Sequence, residues 1–321
     1  MRLLRDTHYD FMSKRKIAFL FSLAIIVPGL ISMIAHRGLN LGVDFTGGVQ
    51  VEVRVDGAEV PIERVREAVA QAGYDNRSIQ RAGGGNSNDF LIHLQSTQAG
   101  QVVTGEASGE SQHVSEQIVA KMRAAFPDRT VEMLGVQAVG PKIGAELRLA
   151  AIQAVVLAIL LVMAYVAWRF EFRFGVATII AAGHDLLFVL GLFSLLNKEM
   201  TLTVIAAFLT LIGYSVNDTI VVFDRIREEL KLRQKRDPYE TIFNDAINKT
   251  LGRTLLTGVT TLLVLIALFG WGGEVIHDFA WVLLVGIMVG TYSSIFVAAP
   301  LVVEWQKRAD ARDAAKAQRA A

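Results

Sequence analysis

Two aspartates stand where an acid is costly. Asp185 follows His184 in the middle of the apolar run from Gly175 to Leu196, and Asp218 lies in Tyr214-Ser215-Val216-Asn217-Asp218-Thr219 near the end of the run from Thr201 to Phe223. An ionised Asp at mid-bilayer costs about 2.5–3.5 kcal/mol on insertion scales, so both should face other helices or a hydrated cavity. Protonation turns the anion into a tolerable neutral acid, and a nearby cation favours the charged form. Arg253, at the start of the next run, is the nearest candidate counter-ion to Asp218 by depth. This is the pattern of a proton-transfer site, with Asp218 as acceptor, Arg253 as charge partner and Asp185 as a second acid. Tyr214 shares the Asp218 face one turn earlier, and Ser215, Asn217 and Thr219 could orient or hydrate the carboxylate. A static interhelical Asp–Asp or Asp–Arg pair is the alternative. His184 reads equally as a relay or as a satisfied hydrogen bonder between helices. Ala177 and Ala181 put small residues on the Asp185 face, and Gly286-x-x-x-Gly290 followed by Ser294 makes another close-packing face.

The elements that hold these residues are membrane spans. Hydrophobic residues make up 52% of the 321 positions and are bunched into long runs, which a bilayer requires and a globular core does not. Mean hydropathy is +0.40. Six spans are expected: Ile17 to Ala35, bent at Pro28-Gly29 and retained as an anchor, then about Leu149–Trp168, Gly175–Leu196, Thr201–Phe223, Thr254–Gly270 and Asp278–Val303. Five Lys or Arg precede the first span, two lie in Arg169–Phe174, eight in Asp224–Arg253 and five after Glu304, whereas the opposite short loops hold only Lys198. The positive-inside rule then places both termini in the cytoplasm. The division expected is a cytoplasmic N-terminus (1–16), the first span (17–35), an extracytoplasmic domain (36–148), five further spans (149–303) interrupted by a cytoplasmic loop (224–253), and a cytoplasmic tail (304–321). The loop reads either as two short helices lying on the membrane face, with Ile226, Leu230, Ile242, Phe243, Ala246 and Ile247 as apolar contacts, or as a solvated basic connector.

The inserted domain reads as α+β. Val49, Val51, Val53 and Val55 alternate with polar residues as in a half-buried strand. A helix starts at Pro61 and stops at Gly73, and strands near Arg77–Arg81 and Phe90–Leu94 flank a Gly83-Gly84-Gly85-Asn86 turn. A helix over Ser111–Phe126 and a strand over Thr130–Val136 complete β-α-β-β-α-β, the ferredoxin-like order. The helices should cover one sheet face and leave the other free for a partner. Gln95–Gly109 is a polar, Gly-containing insertion, read as a solvated connector or a binding loop. With no cysteine there are no disulfides or thiolate sites, no set of metal ligands stands out, no cofactor is expected, and a net charge of +1 gives no field for nucleic acid.

Three motifs resemble a known family in combination. Leu41-Gly42-Val43-Asp44-Phe45-Thr46-Gly47-Gly48 follows the first span, Ser215 to Arg225 closes the fourth, and Asn248-Lys249-Thr250-Leu251-Gly252-Arg253-Thr254 enters the fifth. Together they resemble the SecF-type protein-export membrane subunits of the bacterial SecD/SecF family, in the resistance-nodulation-division superfamily, over essentially the whole chain. The resemblance implies a half-transporter of the inner membrane that pairs with SecD, associates with the SecYEG channel and with YajC, and uses proton motive force on translocating unfolded polypeptide. It implies no enzyme activity. Asp218 and Arg253 match positions assigned to proton transport in the family, whereas Asp185 is nominated on physical grounds alone. Asp44, Gly47 and Gly48 match the family's periplasmic signature; the glycines suit a tight backbone exit from the membrane, and the role of Asp44 is open. Two rivals are an intramembrane aspartyl protease, whose sequence pairs neither Gly183-His184-Asp185 nor Val216-Asn217-Asp218 fits, and a passive membrane scaffold.

Overall fold

The computed structural model describes residues 7–72, 79–82, 88–95, 108–232 and 237–320. Among these, six helical segments are long and apolar enough to cross a membrane. Helix α1 (Arg15–Ala35) carries Pro28 within it and leads through a short linker to a single turn, α2 (Val43–Thr46). The chain then builds a small domain from β1 (Gly48–Val55), α3 (Ile62–Gln71), β2 (Ile79–Ala82), β3 (Asp89–Gln95), α4 (Ser108–Ala125) and β4 (Val131–Val139). It returns to the bundle as α5 (Pro141–Arg169), α6 (Phe172–Leu195), α7 (Leu202–Leu232), α8 (Tyr239–Trp271) and α9 (Glu274–Ser293), a π turn (Ser294–Ala298) and α10 (Ala299–Ala320).

The domain has the ferredoxin-like arrangement. Its four strands lie in the order β2-β3-β1-β4 with every neighbour antiparallel. Val49, Val51, Val53 and Val55 all point into one core, where they meet Phe90, Ile92 and Leu94 from β3, Val65 and Val69 from α3, and Ile118 and Met122 from α4. Each such side chain, fully buried, contributes roughly 1.5–3 kcal/mol, which offsets the lack of disulfides. Pairing of β1 with β4 slips between Glu52 and Val53, so β4 bulges beside Gly135, and Met133, Leu134 and Val136 are exposed at the sheet's edge. The Gly83 to Asn86 turn and most of the Gln95–Gly109 insertion lie outside the described residues.

The second sheet face is not wholly free, contrary to expectation. It is seated on the end of the bundle: His93 Nε2 lies 2.6 Å from Glu199 Oε2, an approach bent away from a straight hydrogen bond, and both side chains are buried. The loop that carries Glu199 is in turn tied to the linker, with Met200 N–H donating to Asn40 O at 2.7 Å and Gly42 N–H to Met200 O at 2.9 Å. Alternation along a strand tells which face is polar; it does not tell what that polar face meets.

The helices overrun the expected spans because nothing in the sequence stops their hydrogen-bond ladders at the lipid boundary. Among the described residues, 224–232 and 239–253 are continuations of the two long helices rather than separate short ones. Helix α7 continues unbroken to Leu232 and α8 begins at Tyr239 behind Pro238, so the two form an extended hairpin. Ile226, Ile242, Phe243, Ala246 and Ile247 are buried inside it, with Leu230 packed alongside. Its buried Glu229 accepts from Lys249 Nζ at 2.5 Å. The N-terminal segment is clasped to the same end by two asparagines of α8. Asn244 Oδ1 accepts from Phe11 N–H and Met12 N–H, both at 3.0 Å, and Asn248 accepts from Tyr9 N–H while donating to Tyr9 O. Ser13 N–H and the Asn244 amide hold the Asp10 carboxyl below its usual range.

The sixth span is a helix interrupted rather than the single one expected. Pro300 has no N–H to give to the carbonyl four residues back, and just ahead of it the ladder loosens into the π turn over Ser294–Ala298. The residues after Val303, expected only as a tail, continue helically to Ala320.

Helices α1 and α6 touch backbone to backbone where Gly29 meets Gly191. Ala normally stabilises a helix relative to Gly by about 1 kcal/mol. At Gly183, where an added methyl meets nothing within 4 Å, Gly183→Ala is expected to hold or raise the thermal midpoint in detergent. Gly29→Ala drives a methyl into the Gly191 backbone and is expected to lower it, by about 1–3 kcal/mol of stability. Equal melting of the two variants would contradict the close crossing.

Candidate functional site

Two apolar clusters fill the bundle, one at each end. The cluster near the sheet contains Phe193, Phe208, Leu211 and Ile287, and the far one contains Phe174, Phe223, Phe243 and Ile295. Between them lies a polar layer contributed by α6, α7 and α9. Lipid tails are as apolar as leucine, so the layer is held by close packing and hydrogen bonds rather than by a hydrophobic drive between helices.

Asp185 is at its centre and is 1% exposed. Its Oδ2 accepts from Ser215 Oγ of α7 at 2.5 Å and from Ser293 Oγ of α9 at 2.8 Å, while His184 Nδ1 lies 2.9 Å from Oδ1. The other imidazole nitrogen of His184 is 2.8 Å from Ser22 Oγ on α1, which in turn is 3.2 Å from the Tyr292 hydroxyl. A polar chain therefore crosses four helices. The two readings of His184, relay and satisfied bonder, share this geometry, because a bonded imidazole is also one that can pass a proton.

Asp218 is equally buried, at 2% exposure, but sparsely bonded. Its Oδ2 accepts one hydrogen bond, from Thr291 Oγ1 of α9 at 3.1 Å. Arg253 is near enough to act on it electrostatically, yet no ion pair or hydrogen bond joins them among the described residues, and Arg253 is exposed on the bundle's outer surface. No hydrogen bond connects Asp185 with Asp218 among the described residues, so the two acids do not form the shared-proton pair that a protease dyad requires.

The expected helpers of Asp218 are engaged elsewhere. Ser215 bonds Asp185, Thr219 Oγ1 donates to Ser215 O on its own helix, the Tyr214 hydroxyl lies 3.4 Å from Thr261 Oγ1, and Asn217 is exposed. Thr291 supplies the hydroxyl to Asp218 instead, and Ser293 supplies one to Asp185. The signal that could have found them is Gly286-x-x-x-Gly290. A methyl on Gly290 would come within 3.1 Å of Ser215 Cβ, so glycine there brings α9 close enough to α7 for the next residues to reach both carboxylates.

The layer is connected to the sheet through α7. Asp44, in α2, is buried; its Oδ2 accepts from Leu202 N–H, the first residue of α7, and its Oδ1 accepts from Gln137 Nε2 of β4, both at 2.9 Å. A carboxylate on a helix N-terminus is favoured by that helix's orphan donors and dipole, typically by about 1 kcal/mol. Gly47 and Gly48 have φ of +71° and +134°, left-handed backbone that lets the chain turn from α2 into β1.

Two family models match this chain. Protein export membrane protein SecD/SecF, C-terminal, matches residues 118–308, and the SecD/SecF GG motif matches residues 32–59. The chain belongs to the SecD/SecF family. It is 41% identical to a protein translocase subunit SecF of Rhodothermus marinus, covering 97% of this chain and 98% of that one. It is 43% identical to the SecF of Magnetococcus marinus, covering 94% and 93%. Among solved structures it is similar to SecDF, a translocon-associated membrane protein from Thermus thermophilus, with a TM-score of 0.79 and 37% identity over 94% of this chain. The chain spans 39% of that SecDF chain's length. Asp44, Gly47 and Gly48 fall in the SecD/SecF GG-motif match, and Asp185, Asp218, Arg253, Thr291 and Ser293 in the C-terminal one.

In this SecD/SecF bundle the two acids should differ sharply under mutation. Asp185→Leu strands Ser215, Ser293 and His184 without an acceptor and is expected to cost about 2–4 kcal/mol. Asp218→Asn leaves one neutral bond in place and is expected to cost under about 1 kcal/mol. Thermal unfolding of the purified chain checks the difference, and equal losses would contradict the bonding described.

Proposed function

We propose that this chain is an accessory subunit of the Sec protein translocase that pairs with SecD and uses proton motive force to drive or complete polypeptide export. Asp218 acts as proton acceptor and Arg253 as its charge partner, while Asp185, the second acid expected, and His184 brace the helices beside them. In this reading residues 1–16 and 304–321 lie in the cytoplasm with the 224–253 hairpin, residues 36–148 face the periplasm, and residues 17–35 and 149–303 hold the spans in the bacterial inner membrane. SecYEG, YajC and unfolded polypeptide are the further partners.

The observation that carries it is the unequal bonding of the two buried acids. Asp185 has three close polar partners and is suited to hold helices together, whereas Asp218 has a single hydroxyl donor and a cation in range but out of contact. An acid so placed changes its electrostatic energy greatly on gaining a proton and loses little hydrogen bonding. Each charge moved through the membrane field supplies about 2.3 kcal/mol per 100 mV, comparable with coupling free energies of about 1–3 kcal/mol. The Asp44 link offers the route by which a shift of α7 would reach the sheet.

Pairing with SecD is supported by the outer surface beside Asp218. Thr210, Gly213 and Asn217 are exposed along one face of α7, and Arg253, Thr257 and Thr260 along one face of α8. Small and polar residues at mid-span are disfavoured against lipid and favoured at helix contacts. The exposed edge of β4, with Met133, Leu134 and Val136, offers a further surface for a partner contact. The relatives named protein translocase subunit SecF and the SecDF neighbour are consistent with this role.

Asp218→Asn is expected to abolish the contribution of proton motive force to export while leaving assembly with SecD intact. Export in inverted or intact membranes, with co-purification measured in parallel, checks it. Full activity with intact assembly would favour a passive scaffold, and substrate cleavage lost in the variant would favour a protease.

A further inference from the structure

We infer that a groove on the lipid-facing side of α5 binds an anionic glycerophospholipid of the sheet-side leaflet, with its phosphate on Arg148 and one acyl chain in the groove. This site lies apart from the acids of the polar layer and stands independently of the proton-transfer reading.

The groove has a volume of about 320 Å³, at the lower end of the roughly 300–1,000 Å³ typical of ligand sites. Ile152 and Val156 of α5 form one wall, Leu190 of α6 and Phe208 of α7 the other, and Leu41 of the linker the end nearest the sheet. Its lining is apolar throughout, and Arg148 borders it through its aliphatic stem, the one charged residue beside the groove among the described residues. The depth fits a lipid. From Arg148 to Arg169 an α-helix rises about 31 Å, close to the roughly 30 Å of a hydrocarbon core, so the two arginines mark its two surfaces. Arg148 is then at headgroup level, and Ile152 and Val156 lie one and two turns into the acyl region.

Charge decides the kind of lipid. Arg148 is exposed and makes no hydrogen bond or ion pair among the described residues. A guanidinium at headgroup depth with no carboxylate on it matches a phosphate in a bidentate fork. A partner helix is the less suited occupant. The exposed face of α5 is mostly large and aliphatic, with Leu149, Ile152, Val156, Leu157, Leu160 and Leu161 among Ala150, Gln153 and Ala164, whereas the exposed faces of α7 and α8 beside Asp218 carry small and polar residues, the kind favoured at helix contacts.

The test uses the full chain purified with its partner half, stripped of lipid, and offered dioleoyl phosphatidylglycerol or dioleoyl phosphatidylcholine under native mass spectrometry. The wild type is expected to retain one phosphatidylglycerol under activation that removes phosphatidylcholine. Arg148→Gln should lower that retention about tenfold and erase the preference between the two lipids. Ile152→Trp, which fills the groove with Arg148 intact, should abolish retention of both. Equal retention of the two lipids by the wild type, or unchanged phosphatidylglycerol in both variants, would overturn the site. So would a photoreactive side chain at Val156 that captures the partner chain in place of lipid.

Discussion

A carboxylate in the hydrocarbon core must be surrounded by donors, and in a helix bundle those donors can come only from side chains, because every backbone group is already bonded. That requirement organises this molecule. Serine and threonine hydroxyls are short, so helices must approach closely before they can reach an acid on a neighbour. Gly286 and Gly290 let α9 lie against Leu211 and Ser215 of α7, and the π turn before Pro300 falls where Ser293 and Ser294 sit between the two apolar clusters. The result is a thin polar layer in an otherwise apolar bundle, with one acid saturated and the other nearly bare.

The same helix that carries the bare acid is fixed at its sheet end. Asp44 accepts from the first N–H of α7 and from Gln137 of β4, so the turn after α1, the edge strand and α7 share one carboxylate. The contact of His93 with Glu199 and the bond from Lys198 Nζ to Asp278 Oδ1, at 2.5 Å, bind the neighbouring loop. These links make the small domain a continuation of the bundle rather than a separate body on a string. An altered position of α7 would therefore be felt at β1 and β4 without a long chain of intermediaries.

Much of this was legible from residue types. Apolar run length gave the spans, the Val49 to Val55 alternation gave β1 and its inward face, and Pro61 and Gly73 bracketed α3, because each of these is a local property of the chain. Asp185 and Asp218 stood out because a charge inside an apolar run has few explanations. What the sequence could not tell was which hydroxyl served which acid. Ser215 and Thr219 are near Asp218 along the chain, yet one bonds Asp185 and the other its own helix, and Thr291 arrives from 73 residues away. The docking of His93 on Glu199 was equally hidden, since it depends on where the domain rests. The π turn had a trace in Pro300, which reads ordinarily as a residue near a helix end.

The central claim is that Asp218 exchanges a proton within the membrane while Asp185 keeps a fixed set of partners. Difference infrared spectroscopy of the reconstituted chain with its partner half, recorded across a pH step with labelled aspartate, measures that directly. The account predicts a protonated-carboxyl band that appears and disappears with pH, is absent from Asp218→Asn and survives Asp185→Asn. A band that never changes with pH, or one that is indifferent to Asp218→Asn, would contradict it.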